Sequence, residues 1–183
     1  MHLMPNWQTI ARRIRVPLGF VFAGVYLWLA RPTRLSLMVG SSIALVGLVV
    51  RASASGHVRK NEQLTMTGPY AYTRNPLYLG SLVLALGFVI AARSWTIGVI
   101  ATAMFVFIYF PVIRSEEQFL RTKFPEYDDY ARTVPRLLPR LRPIESSASS
   151  FSLHLYWKHR EYNAGVGSAL MIAALAAKAM WFP

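Results

Sequence analysis

The stretch from Gly68 to Gly80 reads GPYAYTRNPLYLG and gathers three tyrosines, an arginine and an amide on a punctuated frame. Gly68-Pro69 and Asn75-Pro76 are turn signals. Pro76 suits the first turn of a helix, where its missing N–H is not needed. Tyr70, Tyr72, Arg74, Asn75 and Tyr78 are therefore fixed where a polar turn enters an apolar helix. Aromatic faces attract a cation, a guanidinium orients an anion, and an amide both donates and accepts. Such a set at a water–lipid boundary suits a polar cofactor that must meet a lipid-soluble substrate.

Two further groups carry chemistry. Glu116-Glu117 is a carboxylate pair one helical turn beyond the next long apolar run. Glu117 has Arg121 at i+4 and can form a surface ion contact with it. Glu116 has Leu120 there, which leaves it for a ligand ammonium or ribose hydroxyls. Phe124–Pro139 reads FPEYDDYARTVPRLLP, with Tyr127 and Tyr130 at i, i+3 and Arg132 and Arg136 beyond. Read alone, this last segment is a surface turn followed by a basic juxtamembrane tether. The four histidines, His2, His57, His154 and His159, show no i, i+3 or i, i+4 pairing, and there is no cysteine, so no metal site is expected. His57 lies near the 68–80 turn, as a polar pocket wall or an exposed loop residue. No strand-linked GxGxxG, phosphate-binding loop or GxSxG appears.

The elements that must position these residues are membrane helices. The chain has 183 residues, 54% of them hydrophobic, and the apolar residues come in long blocks rather than in a soluble pattern. Five blocks stand out: Val16–Ala30, Leu35–Val50, Leu77–Ala92, Trp95–Ile113 and Ala164–Phe182. A spanning helix needs about 20 apolar residues. The last two blocks qualify alone, and the first three must borrow flanking residues or snorkelling arginines. The expected fold is an all-α integral membrane bundle of about five transmembrane helices. With the N-terminus cytoplasmic, sixteen Lys/Arg fall on the inner segments against three outside (Arg31, Arg34, Arg93), and all eight acidic residues fall inside. That bias predicts an inner-membrane protein with its N-terminus in, its C-terminus out and its chemistry on the cytoplasmic side. The net charge of +12 then reflects topology and anionic lipid headgroups rather than nucleic acid.

Residues 1–15 read as a basic amphipathic lead-in with Trp7 as an interface anchor. Arg31–Arg34 is a tight outer turn, and residues 51–76 a long inner loop. Ala92-Arg93-Ser94 permits only a helical hairpin, so the third and fourth spans are antiparallel and return the 68–80 turn and the glutamate pair to one side. No Gly or Pro follows Ile113 before Pro125, so the fourth helix is expected to run on into water. Phe119, Leu120 and Phe124 would form its apolar stripe, on the membrane surface or over a pocket. Ile144–Ser152 reads as a flexible linker, dividing a core at 1–143 from an appendage at 144–183 with a polar helix start at Tyr156–Asn163. The Gly165, Gly167 and Ala169 face of the last helix offers a packing surface for a second copy.

In order and spacing, the three motifs resemble the isoprenylcysteine carboxyl methyltransferase / phospholipid methyltransferase superfamily, over roughly His57 to Pro139. The resemblance implies a helical membrane enzyme that uses S-adenosylmethionine in a cytoplasm-facing pocket. By it, Gly68, Pro69, Tyr70, Arg74, Asn75, Pro76, Tyr78 and Leu79 match the first cofactor-binding motif. Glu116 and Glu117 match the acidic pair, and Tyr127, Tyr130, Arg132 and Arg136 the terminal motif, with an arginine near the reacting group. His57 joins the cofactor-binding set, and Arg136, Arg132 and Asn75 the catalytic one. Two departures stand out. Asn75 replaces the family's usual histidine and cannot titrate near neutrality, and the appendage extends past the usual end. No strong base is visible, which suits an acceptor already deprotonated, or an amine. Lipophilic acceptors delivered by the membrane fit this reading. A nicotinamide-dependent membrane reductase and a non-enzymatic lipid-binding protein are the alternatives.

Overall fold

The computed structural model describes residues 7–59, 62–144 and 150–181. Among these residues every regular element is helical. Helix α1 (Trp7–Leu29) merges the basic lead-in and the first apolar block into one element, with Pro17 inside it. The side chain of Trp7 lies outside the described set. Helix α2 (Arg34–His57) is capped by Thr33, whose Oγ1 accepts from the Ser36 backbone while Ser36 Oγ accepts from the Thr33 N–H.

Helix α2 does not stop at Val50. The run RASASG contains no proline and enough small helix-tolerant residues to continue the helix, so Arg51–His57 is helical where a loop was expected. This extension makes α2 long enough to span a membrane by itself. The connecting loop begins only at Val58. After a 3₁₀ turn at Gly68–Ala71, α3 (Pro76–Ala92) returns antiparallel to α2.

The α2–α3 seam is the closest packing in the molecule and rests on missing side chains. A Cβ on Gly47 would come within 2.5 Å of the Leu84 backbone nitrogen, and one on Gly87 within 2.5 Å of the Ala44 nitrogen. Small residues allow such approach between helices in lipid, where packing rather than water expulsion drives association. Arg93 takes the left-handed conformation (φ 49°) that turns the chain, and Ser94 caps α4 (Trp95–Met104).

Helix α4 continues through a π turn at Phe105–Tyr109 into α5 (Phe110–Lys123), giving a 29-residue rod that runs on past Ile113, as the lack of Gly and Pro after that residue predicted. Pro111 explains the π turn: it has no N–H to give to the i−4 carbonyl, and the ladder adjusts just upstream, with Phe110 N–H reaching Phe105 O. The chain ends with α6 (Tyr127–Thr133), α7 (Leu153–Lys158) and α8 (Tyr162–Trp181). The expected single polar helix start over Tyr156–Asn163 is instead a break between α7 and α8, at Arg160 with φ 53°. Among the described residues, three elements are long and apolar enough to cross a membrane, namely α2, the α4–α5 rod and α8. Pro17–Leu29 and α3 are shorter apolar helices. The result is an all-α membrane bundle.

The expected linker is docked where it is described. Ile144 packs on the Tyr127–Tyr130 cluster, and its N–H reaches Ala71 O. Phe151 lies against Gly56 and His57, and Ser152 N–H donates to Gly56 O. Residues 145–149 lie outside the described set. At the opposite end, Lys178 Nζ donates to the carbonyls of Leu27 and Trp28, placing a cation at the C-terminus of α1.

Candidate active site

Everything around the 68–80 turn is built by zipping it to the segment after α6. Arg74 N–H donates to Pro135 O (2.9 Å), Arg140 N–H to Tyr72 O (2.9 Å), and the Thr73 hydroxyl lies 3.1 Å from the carbonyls of Arg136 and Leu137. Pro135 and Pro139 keep this segment out of helix, which leaves its carbonyls free to accept. Tyr130 donates its hydroxyl to Tyr70 O at 2.7 Å. Phe124, Tyr127, Tyr130 and Val134 form the small core beneath with Leu120 packed on it, so Phe124 turns inward while Phe119 and Leu120 line the cavity described below.

The two glutamates separate. Glu117 is buried and accepts from Asn75 Nδ2 (3.1 Å), Arg136 Nε (2.9 Å) and Arg136 Nη2 (2.8 Å), with Arg74 Nη1 at 3.7 Å. It does not pair with Arg121, which binds Asp128 instead. Asn75 spends a second amide proton on Arg136 O at 3.1 Å. The amide thus sends two protons from one nitrogen to two acceptors, which a single imidazole nitrogen cannot do. Glu116 faces the other way, into a cavity, and accepts from Tyr78 Oη at 3.0 Å.

That cavity measures about 880 Å³ and lies at the end of the bundle where the 58–75 loop meets α5 and α6. Tyr70, Arg74, Asn75, Tyr78, Glu116, Tyr127 and Tyr130 all line it. Burial, reinforced by Tyr130 and Glu116, pushes the Tyr70 hydroxyl far above the usual tyrosine range. Burial does the same for Tyr130 and, with Glu117 nearby, raises Tyr127. The hydrogen bond to Glu117 raises Arg136. Arg74 Nε is the single buried side-chain nitrogen or oxygen without a partner among the described residues.

The remaining sequence candidates stand outside the cavity wall. Arg132 is 78% exposed and pairs with Asp129 on the outer face of α6. Arg136 sits behind the wall, held by Glu117 and over the Phe110 ring. His57 backs Gly68: a Cβ at Gly68, where φ is 57°, would strike the imidazole. Gly68 and Pro69 shape the turn, and Pro76 and Leu79 start α3.

Conversely, sequence reasoning did not place Arg51, Arg59, Ser81, His159 or Glu161 in the site, yet all five line the cavity. Arg51 donates Nε to Glu161 at 2.6 Å and Nη1 to Ser81 Oγ. His159 Nδ1 lies 3.1 Å from Ser55 O. The appendage therefore supplies two side chains to the wall. In the sequence Arg51 reads only as the first cation after the second apolar block, and nothing in spacing links it to a glutamate 110 positions later.

A second cavity of about 590 Å³ lies deeper among the apolar helices, walled by Phe22, Tyr26, Phe88, Ile97, Met104 and Met171 among others. Gly19, Ala23, Arg51, Tyr78, Ser81 and Tyr109 line both cavities and mark the neck where the two adjoin.

The profile of the phospholipid methyltransferases matches residues 52–127, which holds the turn, the glutamate pair and the start of α6. The chain is 37% identical over 152 residues to the nickel-cobalt-cadmium resistance protein NccN of Alcaligenes xylosoxydans xylosoxydans, covering 80% of this chain and 70% of that protein. It is 35% identical over 150 residues to the cobalt-zinc-cadmium resistance protein CzcN of Cupriavidus metallidurans, covering 77% and 68%. The chain belongs to the phospholipid methyltransferase family. No solved structure matches it. Membership in this family makes the protein a methyltransferase acting on lipid-like substrates.

Proposed function

We propose that this phospholipid methyltransferase family member moves a methyl group from S-adenosylmethionine to a lipophilic acceptor at the cytoplasmic face of a bacterial inner membrane. The residues present fit that cofactor. A cavity of about 880 Å³ is in the range of small-molecule sites. Its wall offers the Glu116 carboxylate for an ammonium group or ribose hydroxyls. Tyr70, Tyr127 and Tyr130 bring aromatic faces suited to a cation. The observation that carries the reading is the convergence on one cavity of the Arg74 guanidinium, the Glu116 carboxylate and the rings of Tyr70, Tyr127 and Tyr130, drawn from the turn, α5 and α6.

When bound, the cofactor supplies an electrophilic methyl carbon, whose bond to sulfur breaks as an acceptor lone pair forms the new bond. The protein's part is placement. Glu117 and Asn75 lock the turn to α5, which sets the spacing between the aromatic wall and Glu116. The apolar walls of the inner cavity exclude water from the acceptor's chain. The tyrosine hydroxyls stay protonated and serve as donors rather than bases. Asn75, with both amide protons engaged, is a positioning residue, as is Arg136 behind the wall. The metal resistance in the relatives' names would follow if methylation alters the charge that the inner surface presents to divalent cations.

The test incubates membranes carrying the protein with methyl-labelled S-adenosylmethionine and extracts the lipids. Label in a lipid-soluble product, reduced at least tenfold by Glu116→Gln, is expected. Membranes that incorporate no more label than those lacking the protein would contradict the proposal.

A further inference from the structure

Arg51 stands where a membrane protein rarely leaves a charge. It lies inside α2, fewer than two turns from the helix end, with its side chain 23% exposed. Glu161, 10% exposed, neutralises it. That pairing explains why the charge is tolerated there, because a lone ion would be costly. It does not explain why a charge is present, since an apolar pair of the same volume would pack at least as stably. The position supplies the reason. Among the described residues, Arg51 is the one charged side chain that lines the inner apolar cavity, and it also lines the polar one.

Taking the methyl-transfer reading as given, we propose that Arg51 anchors the acceptor's headgroup. It binds an anionic oxygen group, carboxylate or phosphate, at the neck, while the acceptor's apolar chain fills the inner cavity. Glu161 and Ser81 each hold one guanidinium nitrogen and so fix the plane of the fork. A fixed planar fork recognises a carboxylate or phosphate by geometry as well as charge. Gly19, Ala23, Ala164 and Gly167 edge the cavity between α1 and α8. A Cβ on Gly19 or Gly167 would meet nothing within 4 Å, so this side is open enough to admit a chain from lipid. The appendage contributes to acceptor binding by carrying Glu161, the residue that orients the anchor.

The experiment measures thermal stabilisation of the purified full-length protein in neutral detergent. The probes are palmitate, lysophosphatidic acid, methyl palmitate and S-adenosylhomocysteine. At least one anionic probe is expected to bind tenfold or more tightly than methyl palmitate. Palmitate acting alone identifies a carboxylate headgroup, lysophosphatidic acid alone a phosphate, and both a general anion site. The double variant R51Q/E161Q, which removes both charges and leaves no orphan carboxylate, should lose that preference and keep stabilisation by S-adenosylhomocysteine. Methyl palmitate matching the anions in the wild type would overturn the proposal, whether or not the variant folds. So would an anionic preference that survives in the double variant, or the joint loss of the S-adenosylhomocysteine effect. Absence of that last effect in the wild type, with the anionic preference intact, would instead count against the cofactor reading alone.

Discussion

Removing the Glu117 carboxylate would strand two guanidinium groups that now share it. Arg74 is 12% exposed and, among the described residues, has no other carboxylate within ion-pair distance. Breaking a buried ion pair from one side costs about 3 kcal/mol or more, so Glu117→Ala should lower stability by that amount, read as a marked fall in Tm. Glu116→Gln faces a cavity and should leave Tm nearly unchanged while reducing turnover. Adjacent identical residues thus separate in two assays. The tyrosines allow a pH test. Tyr70, Tyr127 and Tyr130 have raised folded-state pKa values because burial disfavours the phenolate. Their contribution to stability is therefore complete below pH of about 10, where an unfolded tyrosine begins to ionise, and declines above it. Between pH 7 and 9.5 the rate should show no step that Tyr130→Phe abolishes. A step removed by that substitution would assign a base to the tyrosine wall.

At the scale of elements, the α2–α3 seam fixes where the turn and Arg51 stand. Gly47→Val would press a side chain into the backbone of α3 and should cost about 3 kcal/mol. The same substitution at Gly19, where a Cβ meets nothing, should be nearly neutral. Comparing the two variants by thermal unfolding checks this. The rod and its extension were legible because Gly and Pro are absent after Ile113, and the hairpin because three residues allow no other connection. The end of α2 was not. Small residues and serines between Arg51 and His57 are compatible with loop or helix, and contact with Phe151 and the appendage decides. The π turn was likewise hidden, since Pro111 marks the irregularity but not how the ladder absorbs it.

Across the whole molecule, the site joins pieces from residue 51 to residue 161, and this explains the uneven legibility. Tyr70, Arg74, Tyr78 and Glu116 were visible because each sits in a motif whose local chemistry is unusual. Arg51 and Glu161 pair across most of the chain, and no periodicity records such a contact. Arg132 and Glu117 lie outside the cavity wall for the same reason: sequence gives residue types, whereas direction comes from the fold. The proposed orientation is testable directly because the chain has no cysteine. Arg31→Cys should react with an impermeant thiol reagent from outside intact cells, and Ser150→Cys only after lysis. The reverse pattern would invert the topology and move the site to the wrong side for a cytoplasmic cofactor.

The central claim is that the cavity between the turn before α3 and the inner end of α5 holds S-adenosylmethionine. Thermal unfolding of the purified protein with saturating S-adenosylhomocysteine tests it most directly, because a ligand at 100 times its Kd stabilises by about 2.7 kcal/mol. The account predicts a clear rise in Tm for the wild type, diminished in Glu116→Gln and absent with NADPH. No rise with S-adenosylhomocysteine, or a rise with NADPH in its place, would contradict it.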